Sequence, residues 1–194
     1  MTDFPDIPLP LTTPRLVLRD FRGDDFAAVH AYASDPEVTR YVPWGPNTEE
    51  ITREVLQQAA AAQTARPRID FNLAITLTGD STPVGSVGLH LREETRLTAE
   101  IGYVLRPDQW GKGVATEAAS AVINAGFSHL GLRRIWATCD ARNTGSWNVM
   151  EKLGLTREAR LRRDRCIKGE WRDTLVYAIL ADEWEQQRAQ ACSR

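Results

Sequence analysis

Apolar and polar positions follow two different periods along this chain, and the switches between them lay out its elements. From Leu11 onward, Leu16 and Leu18 alternate with Arg15, Val17 and Arg19, which predicts a half-buried first strand. Asp24 and Asp25 then precede Phe26, Val29 and Ala33 at helical spacing. This predicts a short helix ending by Asp35-Pro36, its acidic pair placed where the peptide dipoles favour negative charge. The stretch from Tyr41 holds Pro43, Gly45 and Pro46 around Trp44 and reads as a loop. Thr48 is placed to cap an alanine-rich helix reaching about residue 65. Phe71, Leu73, Ile75 and Leu77 share one face of the next strand, which turns at Gly79-Asp80 into a hairpin partner from Pro83. Gly85 and Gly88 in that partner point to a bulge or a close backbone approach. A third run sets Ala99, Ile101, Tyr103 and Leu105 on one face against Glu100, Gly102 and Val104 on the other.

After Pro107 the period changes. Apolar residues at 114, 115, 118, 119, 122, 123, 126, 127 and 130 recur at the spacing of one buried helical face. A strand from Arg134 to Cys139 follows. Strand, helix and strand in that order form a crossover unit, so the strands ending at Leu105 and Cys139 are expected to be parallel neighbours in an otherwise antiparallel sheet. Asn143 to Leu153 reads as a second short helix stopped by Gly154. Strands at about Thr156 to Arg165 and Trp171 to Leu180 flank a turn from Ile167 to Glu170, and Asp182 begins a last polar helix. The expected fold class is mixed α+β: a mostly antiparallel, twisted sheet of six to seven strands with one splayed parallel pair and helices on both faces. A chain of 194 residues fits one domain, 11–190, after a flexible arm, 1–10, that carries three prolines.

Composition narrows the function classes. Lys plus Arg is 24 and Asp plus Glu is 26, a net charge of -2, so the chain as a whole carries no nucleic-acid footprint and no stable nucleic-acid partner is expected. One segment departs from this: Arg157 to Arg165 contains five arginines in nine residues, either a charged edge strand kept soluble or a local contact for RNA. Cys139, Cys166 and Cys192 lack the number and spacing of a disulfide framework or a zinc site, and no metal is expected. No basic segment leads into an apolar stretch near the start, and no apolar run has the length of a membrane span, which reads as a cytoplasmic protein without membrane partners.

The chemistry concentrates in Gln109 to Ala118. Gly111 and Gly113 let backbone approach a ligand with no Cβ in the way. The amides of Gly111, Gly113, Val114 and Ala115 would be free donors at a helix N-terminus, where aligned dipoles favour an anion such as a phosphate or diphosphate. Lys112 lies on the same loop.

Four segments, TPRLVLR, AEIGYVLRPDQWGKGVATEA, NTGSWNVMEKLGL and GEWRDTLVYAIL, together resemble the GNAT superfamily of N-acetyltransferases, in its RimJ- and RimL-like ribosomal-protein branch, over roughly residues 10 to 185. In the superfamily's diphosphate loop Gly113 and Ala115 fill the last two places, while Trp110 stands where Gln or Arg is usual. The resemblance implies the acyl-CoA N-acyltransferase fold, acetyl-CoA as donor and a primary amine as acceptor. It places the donor on the loop from Trp110 to Thr116, on the backbone of Val104 and Leu105, and beside Asn143 and Ser146. Glu100, on the strand that leads into the thioester site, is the candidate base, directly or through a water, against the reading that it is only the solvent-facing half of an alternating strand, and Asp173 is in reserve. Ser146 becomes the proton donor, because the tyrosine that many members use is replaced here by Met150. The branch points to a protein N-terminal α-amine, with polyamine, antibiotic or amino-acid acceptors as the alternative, and leaves a homodimer open.

Two other classes compete. A catalytically idle acyl-CoA-binding module would keep the loop and lose the base. Nucleotide binding through a phosphate loop fails on spacing, because GKG is not part of a GxxxxGK[ST] run. Covalent transfer through Cys139 with His90 or His129 lacks any motif bringing nucleophile and base together.

Overall fold

The computed structural model describes residues 5–92 and 97–192, side chains through residue 190. The thiol of Cys192 therefore lies outside the described residues. Eight strands form one sheet: β1 (Leu11–Thr12), β2 (Leu16–Asp20), β3 (Asp70–Leu77), β4 (Pro83–Leu91), β5 (Thr98–Leu105), β6 (Arg134–Asp140), β7 (Thr156–Ile167) and β8 (Glu170–Leu180). Their order is β1-β2-β3-β4-β5-β6-β8-β7. The helices are α1 (Phe26–Ala33), α2 (Glu49–Thr64), α3 (Val114–Leu130), α4 (Thr144–Lys152) and α5 (Ala181–Cys192). No helix among the described residues is long and apolar enough to cross a membrane.

Two expectations near the start need correction. The first strand is split, because Pro14 has no N–H to donate and the chain turns there, Thr13 N donating to Leu16 O at 2.9 Å. The arm is not loose over its described part: Ile7 is buried among the core residues and Leu9 packs against them, since apolar area there gains more from burial than the segment loses in freedom.

The centre of the sheet, β3 and β4, is buried on both faces, while β7 at the edge is largely exposed. Leu73, Leu89, Ile101 and Ile135 meet Val122 and Ile123 of α3 in the larger core. On the opposite face Phe21, Val29 and Tyr32 pack with Ala59 of α2 over Ala74 and Val104. That is why Leu73, Ala74, Ile75 and Thr76 are buried in succession, where a half-exposed strand would alternate. Thr48 caps α2 as its side chain accepts from Ile51 N. Asp25 does more than face a helix dipole: it is buried and holds Arg19 through two 2.8 Å contacts. Burial pushes its carboxyl up, but the hydrogen bonds from Arg19 and from Arg22 N–H outweigh this and hold it below the usual range.

One irregularity positions the site. β5 and β6 are parallel and pair only at Thr98/Arg134, Ala99/Ile135 and Glu100/Trp136. Beyond that, β4 holds β5 through Leu105 while β8 holds β6 through Asp140, so the two strands are drawn apart by their outer neighbours. A wedge opens between them.

Candidate active site

At the mouth of the wedge, Pro107–Gln109 makes one 3-10 turn and the chain then passes through Gly111 and Gly113 at φ 73° and 79°. A side chain at either would be strained by about 1–2 kcal/mol, which is the local reason for glycine. Gly113 caps α3 without a side chain. Among the described residues, no acceptor takes the amides of Gly111 through Thr116. They stand as an anion cradle at the N-terminus of a helix of 17 residues. Lys112 is exposed on the same loop.

The loop is pinned from both sides. Arg15 donates to Lys112 O at 3.0 Å and to Glu117 Oε2 at 2.6 Å, and Thr13 Oγ1 donates to Glu117 Oε1 at 2.6 Å. Trp110 Nε1 donates to Leu105 O at 2.9 Å, so its side chain braces the loop against β5. Trp110, which the sequence reading places beside the donor, lines the cavity at this wedge, but that reading offers no such bracing role for its indole and no role for Arg15.

The edge of β5 that borders the wedge differs from expectation. Arg106 N donates to Val84 O of β4 at 2.9 Å. Backbone groups alternate between the two edges of a strand, so Val104 also turns toward β4, where a Cβ on Gly85 would strike its carbonyl oxygen. Tyr103 and Leu105 are therefore the residues whose backbone faces the gap. The Leu105 carbonyl already accepts from Trp110 Nε1, and Val104, expected to present its backbone to the gap, lines the cavity but turns that backbone to β4.

Across the wedge stands α4. Asn143 Oδ1 accepts from Ser146 N at 3.1 Å, which commits this side chain to capping. The Tyr103 hydroxyl donates to Ser146 O at 2.8 Å and lies 3.4 Å from Ser146 Oγ. Burial raises the Tyr103 phenol. Burial also pushes the neighbouring Cys139 thiol up to about 11, against the opposing hydrogen bond of Ser146. A thiol held protonated is a poor nucleophile. Met150 is buried and supplies no proton.

A cavity of about 980 Å³ runs from Gly111 and Gly113 past Tyr103 and Ser146 to Tyr41 and Arg172. Val114, Ala115, Thr116 and Asn143 also line it. Glu100 does not, although its neighbours His90 and Thr138 do. Glu100 is half-buried on their sheet face, Oε1 3.5 Å from Thr138 Oγ1. His90 Nδ1 sits 2.8 Å from Asp70 Oδ1, an ion pair in distance. Asp70 first and Glu100 more weakly raise the imidazole above its ordinary value. Asp173 is a poor base as placed. It accepts from Arg163 N at 3.0 Å and Arg160 Nε at 2.9 Å, which hold its carboxyl below the usual range.

The far wall is a charge network centred on the buried Asp140 and Arg172 and invisible to the sequence reading. Asp140, at the end of β6, pairs with Arg172 at 3.1 Å and with Arg142 at 3.1 Å. Arg172 also donates to Arg40 O at 2.9 Å, and Lys168 Nζ reaches Thr39 O at 2.5 Å. These bonds tie the β7–β8 hairpin to the segment after α1.

Comparison with known proteins fits this geometry. Residues 15–156 match the family model of the acetyltransferase (GNAT) domain. An uncharacterized N-acetyltransferase, YnaD of Bacillus subtilis (strain 168), is 37% identical over 176 residues, covering 90% of this chain and 98% of its own. A GNAT-family acetyltransferase structure from Bacillus anthracis superposes with a TM-score of 0.81 at 36% identity, covering 90% of this chain and 100% of its own. Mycobacterium smegmatis RimJ, solved with a CoA-disulfide, gives a TM-score of 0.77 at 27% identity over 92% of this chain and 90% of its own.

Proposed function

Because the chain belongs to the GNAT acetyltransferase family, an acetyl-CoA-dependent family of N-acetyltransferases, we propose that it moves the acetyl group directly onto the N-terminal α-amine of a polypeptide, as the RimJ- and RimL-like resemblance suggests. The observation that carries this reading is the wedge itself, a parallel pair that parts after three residues beside unpartnered amides of a helix N-terminus.

The diphosphate of the donor lies on the amides from Gly111 to Thr116, with Lys112 adding positive charge. The pantetheine arm runs along Tyr103 and Leu105 as an added strand. An amide of this segment faces the thioester carbonyl and stabilises the oxyanion formed on attack, an effect of about 2.7–4 kcal/mol per donor in comparable sites. Attack needs a neutral amine. An α-amine with a pKa of about 7.7–8.0 needs far less help than a lysine near 10.4. Glu100 accepts that proton through a water at Thr138, since Glu100 stands back from the cavity. The nitrogen lone pair forms the amide, the carbon–sulfur bond breaks, and Ser146 protonates the departing thiolate, positioned by Tyr103. The raised Cys139 thiol supports direct transfer in a ternary complex over an acetyl-enzyme.

Steady-state kinetics with N-terminal peptides, polyamines and aminoglycosides tests the reading. Expected are intersecting initial-velocity patterns with peptides and a loss of turnover in Glu100→Gln. A stable acetyl-enzyme by mass spectrometry refutes direct transfer. CoA binding with no amine acetylated makes the chain a binding module.

A further inference from the structure

At the acceptor end of the cavity Arg142 and Arg172 share Asp140 and Glu170 and Arg165 pairs with Asp164, but Arg40 has no carboxylate partner among the described residues. Of the carboxylates on the wall, Asp140 is spent on Arg142 and Arg172, and Asp173 on Arg160 and the Arg163 N–H. Glu37 is the remaining one. Arg40 lies over the Tyr41 ring, its guanidinium carbon 5.1 Å from the centroid, and pairs with no carboxylate among the described residues. Arg142 approaches the same ring at 6.0 Å. The wall is rigid, because Arg172 and Lys168 clamp Arg40 and Thr39 through their backbone oxygens.

Beside it, the pairing of β7 with β8 breaks between Leu161 and Arg165. Arg163 adopts φ 48°, a conformation that costs a non-glycine residue about 1 kcal/mol or more. Asp173 lines the cavity and holds this bulge by its bond to Arg163 N, and with Arg160 to Arg163 it also lines a second depression next to the cavity. Arg162 and Arg163 project from it exposed, with no ion pair among the described residues. A regular strand would have divided these arginines between two faces. In a chain of net charge -2 this collection runs against the overall balance.

We propose that the acceptor is an acidic N-terminal peptide, whose carboxylates close behind the reacting amine rest on Arg40 and then on Arg162 and Arg163. This rests on the reading that the chain acetylates polypeptide α-amines, and names the sequence class it selects. An extended peptide advances about 3.3–3.6 Å per residue, so its first few residues reach from the cavity to the bulge. A polyamine entering the same passage meets repulsion.

The test uses the full chain, acetyl-CoA and decapeptides identical at the first two residues, with Glu, Gln or Lys at the next four. The acidic series should exceed the basic one in kcat/KM by about tenfold, the scale of two or three exposed ion pairs, and chiefly through KM. The preference should shrink as salt is raised. Arg162→Glu with Arg163→Glu should reverse it, and Arg162→Gln with Arg163→Gln should flatten it, with donor affinity by calorimetry reporting an intact fold. Equal kcat/KM for the acidic and basic series overturns the inference and leaves α-amine acetylation standing. Faster turnover of spermidine than of any peptide, or no peptide acetylated at all, overturns both. Single-stranded RNA bound more tightly than the acidic peptide reassigns the arginines and also overturns the inference.

Discussion

Replacing Gly113 by Asp and, separately, by Asn isolates the electrostatics of the loop. Both side chains have nearly the same shape, and both are among the few that visit the left-handed region Gly113 occupies at φ 79°. A Cβ there meets only the Arg15 guanidinium, at 3.4 Å, an ordinary contact. Both are also favourable caps, so neither should unwind α3, and the comparison cancels strain and shape. What remains is one negative charge. Two phosphate charges about 6 Å away repel it by roughly 1.4 kcal/mol at the dielectric of water and about four times that at an effective value of 20. Arg15 beside the substituted position neutralises part of this and favours the lower end. Gly113→Asp should therefore bind acetyl-CoA about 10- to 100-fold more weakly than Gly113→Asn, since 1.36 kcal/mol corresponds to tenfold. Isothermal titration calorimetry at about 20 mM and about 300 mM salt reads the ratio, which should shrink as screening rises. Two variants that bind within twofold of each other at low salt would show that the diphosphate does not lie against these amides.

Three further outcomes are expected. Tyr103→Phe, losing the bond to Ser146 O, should lower kcat about tenfold with little change in KM for acetyl-CoA; Ser146→Ala should lower it about 100-fold. Unchanged kcat in Ser146→Ala removes it as the proton donor. Asp70 raises the His90 imidazole, so the stability this pair contributes is fully present below the unfolded value near 6.5 and is lost as pH rises through the folded one. The melting difference between wild type and Asp70→Asn should accordingly be larger at pH 5.5 than at pH 8.5, and a difference that grows with pH contradicts the pairing. Asp140→Asn should cost about 3 kcal/mol in urea denaturation at neutral pH, because it leaves the buried Arg172 with only the exposed Glu170, at 3.4 Å, as a charge partner. Burial pushes the Asp140 carboxyl up, but Arg142 and Arg172 hold it below its usual range, so this advantage is lost as pH falls through the folded value. A gap between wild type and variant that does not narrow in acid would count against the pair.

The sequence by itself determined those features that depend on neighbours along the chain. The spacing of apolar residues set α3, the two glycines set the loop before it, Thr48 set the start of α2, and the strand-helix-strand order set the parallel pair. Each follows from local dihedral preference or periodicity, which a short window contains. Of the residues the sequence singled out, Gly111, Gly113, Val114, Ala115, Thr116 and Ser146 line one cavity. Only the tertiary structure decided which edge of β5 meets the wedge, because that depends on how β4 registers against it, and so Tyr103 took the place expected for Val104. It set Glu100 back from the cavity wall and committed Asp173 to two arginines through a bulge no alternation pattern announces. It joined Tyr103 to Ser146 across 43 residues and Arg172 to Arg40 across 132, pairings fixed by long-range packing and burial that carry no local signature.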